Sequence, residues 1–192
     1  MFKLYTIEEE DFLLLCNAFT TKSDALMAKI IYYMGLNSYE VSDLKIENLD
    51  LENKVLKVTE NGTLTRYVLI PDNLVKLIEE QVFLVKSLYE DDKKKWKEKN
   101  ILDWEIYPLF PYIVSMKEDW VLRLPKTKKI IDRTILRVSE ILKIKPKVSV
   151  TVLRRSCVWN LYKKNRDIGY IQSKLGYSGK SFLNMIRAKL EN

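Results

Sequence analysis

Histidine is absent from this chain of 192 residues, and cysteine, glycine and proline are scarce, with 2, 5 and 5 copies. Without histidine, the chain cannot form a Ser-His-Asp or Cys-His catalytic group, a histidine-ligated metal site or a histidine pH switch. Cys16 and Cys157 are too few and too far apart in sequence to indicate a disulfide framework, which predicts reduced thiols in a cytosolic protein. We therefore expect neither a metal site nor a cofactor.

Long apolar runs are also missing. The longest ones, such as residues 12–15 and 30–33, fall far short of the roughly 20 residues that a membrane span needs. The N-terminus shows no basic stretch followed by an apolar one, so no secretory signal is predicted. We expect no membrane partner and a cytoplasmic location. The composition, 47% hydrophobic and 31% charged, is typical of a single globular domain at this length.

Positive charge gathers in the second half of the chain. Residues 1–50 carry 9 acidic and 4 basic side chains, whereas residues 101–192 carry 8 acidic and 19 basic ones, a net charge of +11. A basic half of this strength is typical of proteins that bind nucleic acid. A lysine-rich surface that serves only solubility is the alternative, and charge alone does not separate the two.

Periodicity and turn signals predict an α+β fold that is mainly helical and contains one small antiparallel hairpin. Asn61-Gly62 between two β-rich runs is a strong hairpin signal, and Gly35 is the residue type that ends a helix in the left-handed conformation. Thr6 and Glu9 form a capping-box pattern before the first helix. The predicted helices run to about residue 19 and over 23–34, 37–44, 72–88, 130–142, 151–164, 167–175 and 180–190, and the predicted strands are 55–59, 64–70 and 148–150.

Two segments lack a regular pattern. The charged run 91–99 is expected to be a solvated face at the end of the long helix. The segment 101–125 contains three prolines and is expected to be irregular.

Five short segments keep a common order and spacing along nearly the whole chain: MGLNSYEVSDL at 34–44, IENLD at 46–50, LFP at 109–111, VTVLRRS at 150–156 and IQSKLGYS at 171–178. They resemble the Gly-Leu-Arg-x-x-Glu helix, the Asp-Ile-Asp turn, a Leu-Phe-Pro segment, the His-x-x-Arg box and the Leu-Gly-His/Trp box of tyrosine recombinases, the phage integrase family. The likeness covers only the catalytic domain of that family. We therefore expect residues 1–192 to form a single integrase-like catalytic domain without the N-terminal core-binding domain, as the C-terminal part of a longer protein would.

The resemblance also locates the positions that do the family's chemistry. Tyrosine recombinases attack a DNA phosphate with a tyrosine hydroxyl, while two arginines, a hairpin lysine and His or Trp side chains stabilise charge and move protons. Carried over position by position, only the second arginine is kept, as Arg154. The other positions hold residues that cannot replace these groups: Asn37 for the first arginine, Glu60 for the lysine, Thr151 for the histidine, Tyr177 for the later His or Trp, and Ile186 for the nucleophile. The resemblance therefore implies a recombinase fold in which one of six catalytic positions is kept and no residue is assigned a catalytic role, and the protein is predicted to be inactive.

The same resemblance implies where DNA would bind. The position of Arg154 faces the scissile phosphate, and helix 130–142 corresponds to one that approaches the major groove. Arg133 and Arg137, four residues apart on that helix, are therefore candidates for contact with base edges. The alternative for this pair is a solvent-facing stripe on an amphipathic helix. The candidate DNA contacts are all basic or aromatic: Arg154, Arg155, Lys126, Lys128, Lys129, Arg133, Arg137, Tyr177, Lys180, Lys57 and Arg66.

Three hypotheses for the function follow. The leading one is a protein that binds double-stranded DNA on an inactive recombinase fold and regulates transcription, as a repressor does, for a phage or mobile element in the bacterial or phage-infected cytoplasm and nucleoid. The alternative is a divergent site-specific recombinase or an accessory subunit of recombination. The third is a protein-interaction module that uses the acidic residues 1–50, with self-association through the predicted C-terminal helix 180–190.

Overall fold

The computed structural model describes residues 5–60, 62–95, 103–117, 120–176 and 186. Its helices are α1 (Glu9–Asn17), α2 (Lys22–Met34), α3 (Ser38–Ser42), α4 (Asp72–Lys95), α5 (Lys128–Ile141), α6 (Val150–Lys164) and α7 (Ile168–Leu175). Its strands are β1 (Leu49–Asp50), β2 (Val55–Glu60), β3 (Thr63–Leu69), β4 (Pro111–Lys117) and β5 (Trp120–Pro125). The predicted fold class, α+β and mainly helical with a small antiparallel sheet, is confirmed.

The chain forms two compact units. The terminal unit comprises Met1–Ser38 and Asp132–Asn192, and the central unit comprises Tyr39–Ile131. Within the terminal unit, α1 and α6 pack on α2, and α7 packs on α6. Phe12 of α1 stacks on Tyr32 of α2 with ring centroids 3.8 Å apart, and both side chains are buried.

Local sequence signals set both ends of α2. The hydroxyl of Thr21 accepts a hydrogen bond from the backbone N–H of Asp24 at 3.1 Å, which caps the first turn. Gly35 ends the helix with φ at +72°, and its N–H donates to the carbonyl of Ile31. This left-handed conformation costs glycine little, so the predicted end of the helix is confirmed.

The central unit contains both sheets. The first has the order β1-β2-β3, and its strands are antiparallel. The β2–β3 register runs from Val55 opposite Leu69 to Glu60 opposite Thr63, with Gly62 at φ +78° in the turn. The predicted hairpin is confirmed.

The segment 101–125 is irregular only in part: the described residues 103–110 form turns and bends, whereas β4 and β5 follow where the prolines predicted no regular structure. β4 and β5 form a second antiparallel hairpin in which Pro111 lies opposite Pro125. Both prolines therefore stand at the end of the ladder, where a missing N–H removes no interior hydrogen bond. For these two strands the prediction was wrong, because proline is excluded from the middle of a strand but not from its ends.

The charged run after residue 90 is also more than a solvated face. α4 continues through Lys95, and Asp92 is only 5% exposed. Its carboxylate accepts hydrogen bonds from the Tyr107 hydroxyl and the Arg123 Nε, both at 2.8 Å. For Asp92 the prediction was wrong, because its partners lie 15 and 31 residues further along the chain. Residues 96–99 of the run lie outside the described residues.

Two smaller predictions of local structure were wrong, and one cannot be compared. α1 begins at Glu9 with Glu8 at its N-cap position, so Thr6 is not the cap of a capping box. Residues 148–150 form no strand, because Ser149 caps α6 by accepting from the N–H of Val152. The predicted helix 180–190 lies outside the described residues apart from Ile186. None of the described helices is long and apolar enough to cross a membrane.

Candidate nucleic-acid interface

α5 separates an apolar face from a basic one. Ile131, Ile135 and Val138 are buried, while Arg133 and Arg137 are exposed. Because residues four apart in a helix lie on the same side, the two guanidinium groups share one face. Among the described residues, no carboxylate pairs with either of them. The predicted amphipathic helix is confirmed. The positive charge on its exposed face would attract a polyanion.

Three lysines surround the start of α5. Lys129 is exposed, and Lys126 and Lys128 are partly exposed. The ammonium of Lys128 lies 5.4 Å from the ring centroid of Tyr39, a cation–π contact with a side chain that is itself 60% exposed. The backbone N–H of Lys126 donates to the carbonyl of Phe110, which ties this segment to the second hairpin.

The two hairpin residues proposed for DNA contact lie on opposite faces of their sheet. Lys57 is exposed and lies opposite Tyr67. Arg66 points to the buried side, where Nη1 and Nη2 donate to the two carboxylate oxygens of Glu40. Lys57 is therefore the better placed of the pair for the predicted backbone contact, since the guanidinium of Arg66 has a partner inside the protein.

Arg154 and Arg155 follow each other in the first turns of α6, so they point about 100° apart. Nε of Arg154 donates to the carbonyl of Gly35 and Nη2 donates to the carbonyl of Leu175, both at 2.8 Å. Arg155 is partly exposed, and no described residue pairs with it. The retained arginine of the resemblance is thus bound to backbone, whereas its neighbour is not.

The positions that match lost family residues differ in their surroundings. Asn37 is partly buried just after α2, and Thr151 is exposed in the first turn of α6. Glu60 is exposed at the end of β2. Tyr177 and Lys180 lie outside the described residues.

Ile186, the residue that the resemblance places at the position of the nucleophile, is only 3% exposed. It belongs to an apolar cluster with Cys157, Val158, Ile171 and Leu175. The side chain at this position therefore contributes to the core of the terminal unit.

Sequence reasoning missed the partner of Arg66. Glu40 lies in the first of the segments that carry the resemblance, and its side chain is 8% exposed. One signal was available: Arg66 lies two residues before the buried Val68 in β3, and side chains two residues apart in a strand lie on the same face, here the inner one. A charged side chain on that face requires a buried partner of opposite charge. The described residues contain no group of three or more His, Cys, Asp or Glu that could hold a metal ion.

In the comparison with protein families, residues 4–189 match the model described as "Phage integrase family". No curated protein matches this chain.

Solved structures share the fold at low sequence identity. XerA recombinase is 18% identical with a TM-score of 0.68, over 100% of this chain and 67% of that one. The Tn1549 transposon integrase in complex with transposon right end DNA is 16% identical with a TM-score of 0.70, over 100% of this chain and 66% of that one. XerH site-specific recombinase bound to its difH substrate is 22% identical with a TM-score of 0.64, over 97% of this chain and 51% of that one.

The chain thus spans about two thirds of the length of the first two relatives and half of the third. At these identities the likeness concerns the fold, and the predicted recombinase-like fold is confirmed. Because the family model matches almost all of the sequence, the chain belongs to the phage integrase family, the tyrosine recombinases.

Proposed function

We propose that this protein binds double-stranded DNA without cutting it, and that it regulates a phage or mobile element by occupying its site, as a repressor does. The proposal combines a recombinase fold with the loss of the groups that do the chemistry. A DNA-binding protein that cannot cleave acts most simply by occupancy.

One observation carries the proposal: Ile186, the residue that the resemblance places at the position of the nucleophile, is an apolar core residue. Ile186 has no hydroxyl and is buried among Cys157, Ile171 and Leu175. A phosphotyrosine intermediate needs an exposed hydroxyl that can reach the phosphate. A second group is also missing, because Asn37 stands where the resemblance places the first arginine and its amide cannot replace the fixed positive charge of a guanidinium.

Electrostatics support DNA as the partner. Residues 101–192 carry a net charge of +11, and Arg133 and Arg137 are exposed on one face of α5 without a described carboxylate partner. Among the solved structures that share the fold, the Tn1549 transposon integrase is in complex with DNA and the XerH recombinase is bound to its difH substrate. We propose Lys129, Arg133 and Arg137 as the principal contacts. The further candidates are Lys57, Lys126, Lys128, Arg155, Tyr177 and Lys180.

A mobility-shift titration over rising salt tests this function. The probe is a set of 30-bp duplexes selected for binding from a random pool. We expect affinity to fall steeply with salt, because each phosphate contact that a lysine or arginine makes contributes about 0.9 to the slope of log K against log salt. Failure to select any duplex at low salt would contradict the proposal that the protein binds DNA.

A matched pair of variants locates the interface. Arg133→Gln/Arg137→Gln removes two charges from α5, and Lys76→Gln/Lys93→Gln removes two charges from the exposed face of α4. We expect the α5 variant to lose at least about tenfold in affinity, because base-edge and phosphate contacts go with the guanidinium groups. The α4 variant should bind nearly as the wild type does. Equal losses in both variants would indicate a general effect of net charge and not an interface.

A divergent recombinase or accessory subunit is the second candidate, and the family match over residues 4–189 favours it. Its nucleophile would have to be a tyrosine from another position or another chain. A covalent protein–DNA adduct on a nicked suicide duplex, lost in Tyr177→Phe, would establish it. Self-association through 180–190 stays a prediction, and light scattering with and without DNA checks it.

A further inference from the structure

Tyr39 is the exposed residue of the short helix α3. Its neighbours Ser38, Glu40 and Val41 are buried, whereas Tyr39 is 60% exposed. The buried pair between Glu40 and Arg66 fixes the orientation of α3 on the first hairpin. Because adjacent residues of a helix point about 100° apart, the ring of Tyr39 projects into solvent when Glu40 points inwards.

The fold gives little reason for a large aromatic side chain at this position. A ring that is mostly exposed contributes little apolar burial to the core. The ammonium of Lys128 lies over the ring at 5.4 Å from its centroid, and cation–π contacts at exposed sites are weak. Since the ammonium covers one face of the ring, the other face and the edge are left to contact a ligand.

The surroundings of the ring are cationic. Lys126, Lys128 and Lys129 follow one another within four residues, and they belong to the same unit as Tyr39. Lys129 is exposed, and the other two lysines are partly exposed. A DNA backbone alternates charged phosphates, which lysines bind, with apolar faces of deoxyribose rings. An aromatic ring beside such lysines can therefore pack on a sugar.

We propose that Tyr39 is a non-ionic DNA contact, whose exposed ring packs against a deoxyribose next to the phosphates that Lys128 and Lys129 bind. The inference rests on the proposed function, because DNA is the ligand in both. Net charge does not reveal a contact of this kind. A ring that packs on a sugar releases no counterion, so it adds affinity that does not depend on salt.

Salt titration with a selected 30-bp duplex separates the ring from the charges. Tyr39→Ala should lower affinity by roughly five- to tenfold at every salt concentration and keep the slope of log K against log salt within about 0.3 of the wild type. Tyr39→Phe should bind within about twofold of the wild type, because the ring makes the contact and the hydroxyl does not. Lys129→Gln is the ionic reference and should reduce the slope by about 0.9.

Tyr170 provides a matched control. It is 44% exposed, and the ammonium of Lys174 lies 5.7 Å from its ring centroid, but it belongs to α7 and no lysine cluster like that of residues 126–129 adjoins it in sequence. Tyr170→Ala should bind DNA as the wild type does. Both tyrosines are exposed, so both alanine variants should keep Tm within about 2 °C of the wild type. A difference in affinity between them is then not an effect of unfolding.

Three results would overturn the inference while leaving the proposed function intact. In the first, the wild type binds the duplex and Tyr39→Ala binds it equally well, which would leave the ring for another partner such as a protein. In the second, Tyr39→Ala and Tyr170→Ala lose the same affinity. In the third, Tyr39→Ala reduces the salt slope, which would mean that the ring acts only by placing the ammonium of Lys128. If the wild type binds no duplex at all, the proposed function and this inference both fail.

A measurement on the full chain without substitution tests the contact directly. In protein labelled with 3-fluorotyrosine, the ¹⁹F resonance of Tyr39 is assigned by its loss in Tyr39→Phe, and that of Tyr170 by its loss in Tyr170→Phe. We expect the resonance of Tyr39 to shift when the duplex is added and that of Tyr170 to stay in place. A resonance of Tyr39 that does not move at saturating DNA would overturn the inference.

Discussion

Arg66 donates two hydrogen bonds to the carboxylate of Glu40, and the two side chains are only 9% and 8% exposed. The pair joins β3 to α3 and fixes the inner face of the first hairpin within the central unit. Burying a charge costs free energy unless a partner of opposite charge is present, so removal of either charge should destabilise the folded protein.

Glu40→Gln should reduce the free energy of unfolding by about 3–5 kcal/mol, because it leaves the Arg66 guanidinium buried beside a neutral amide. Glu40→Gln combined with Arg66→Met should recover a substantial part of this loss, since no buried charge then remains. Glu140→Gln, which breaks the exposed pair with Lys147, is the control and should cost at most about 1 kcal/mol. Urea denaturation measures all three. A double variant as unstable as Glu40→Gln alone would show that the buried charge is not the cause.

Asp92 anchors the second hairpin to α4, because its carboxylate accepts from both Tyr107 and Arg123. Asp92→Asn should cost about 3–5 kcal/mol, since it leaves Arg123 without its charged partner in a site that is 8–13% exposed. Its neighbour Asp91 is exposed and pairs only loosely with Lys94 at 3.7 Å, so Asp91→Asn should change stability by about 0.5 kcal/mol or less. Thermal unfolding of the two variants side by side checks this. Equal stability would mean that the run is the solvated face that its composition indicates.

These two pairs show what the sequence could reveal and what it could not. The end of α2 and the turn at Gly62 depend on residues next to each other in the chain, so local patterns predicted them. The partners of Asp92 lie 15 and 31 residues away, and the partner of Arg66 lies 26 residues away. No local pattern specifies such a partner, because only the packed chain brings the two charges together. The family resemblance predicted the fold, but it did not predict the carbonyls to which Arg154 donates.

Both cysteine thiols should be inert in the folded protein. Burial raises the pKa of Cys16 and of Cys157 to about 12, so almost no thiolate is present near neutral pH. Ellman's reagent at pH 8 should react with neither thiol in the native protein and with both in 8 M urea. Rapid reaction in the native state would show that the terminal unit opens around α1, which carries Cys16, or around α6, which carries Cys157.

The same burial predicts how stability depends on pH. An unfolded thiol loses its proton near pH 8.5–9, while the folded thiols keep theirs to about pH 12. In that window the unfolded state binds fewer protons, so stability is complete below about pH 8.5 and falls as the pH rises towards 12. Each thiol contributes up to about 1.4 kcal/mol per pH unit there. The Cys16→Ala/Cys157→Ala variant should show a shallower fall between pH 9 and 11 than the wild type.

Restoring the nucleophile at Ile186 should not restore cleavage. Ile186→Tyr places a larger side chain with a hydroxyl in the apolar cluster of Cys157, Ile171 and Leu175, and overpacking of this kind costs about 1–3 kcal/mol. The hydroxyl would also lack the charge of a first arginine, because Asn37 holds that position. We therefore expect no covalent adduct on a nicked suicide duplex in a denaturing gel. Ile186→Phe is the matched control, because it adds the ring without the hydroxyl. An adduct in Ile186→Tyr that is absent in Ile186→Phe would mean that the surrounding residues still support phosphoryl transfer, and that only the nucleophile separates this protein from an active recombinase.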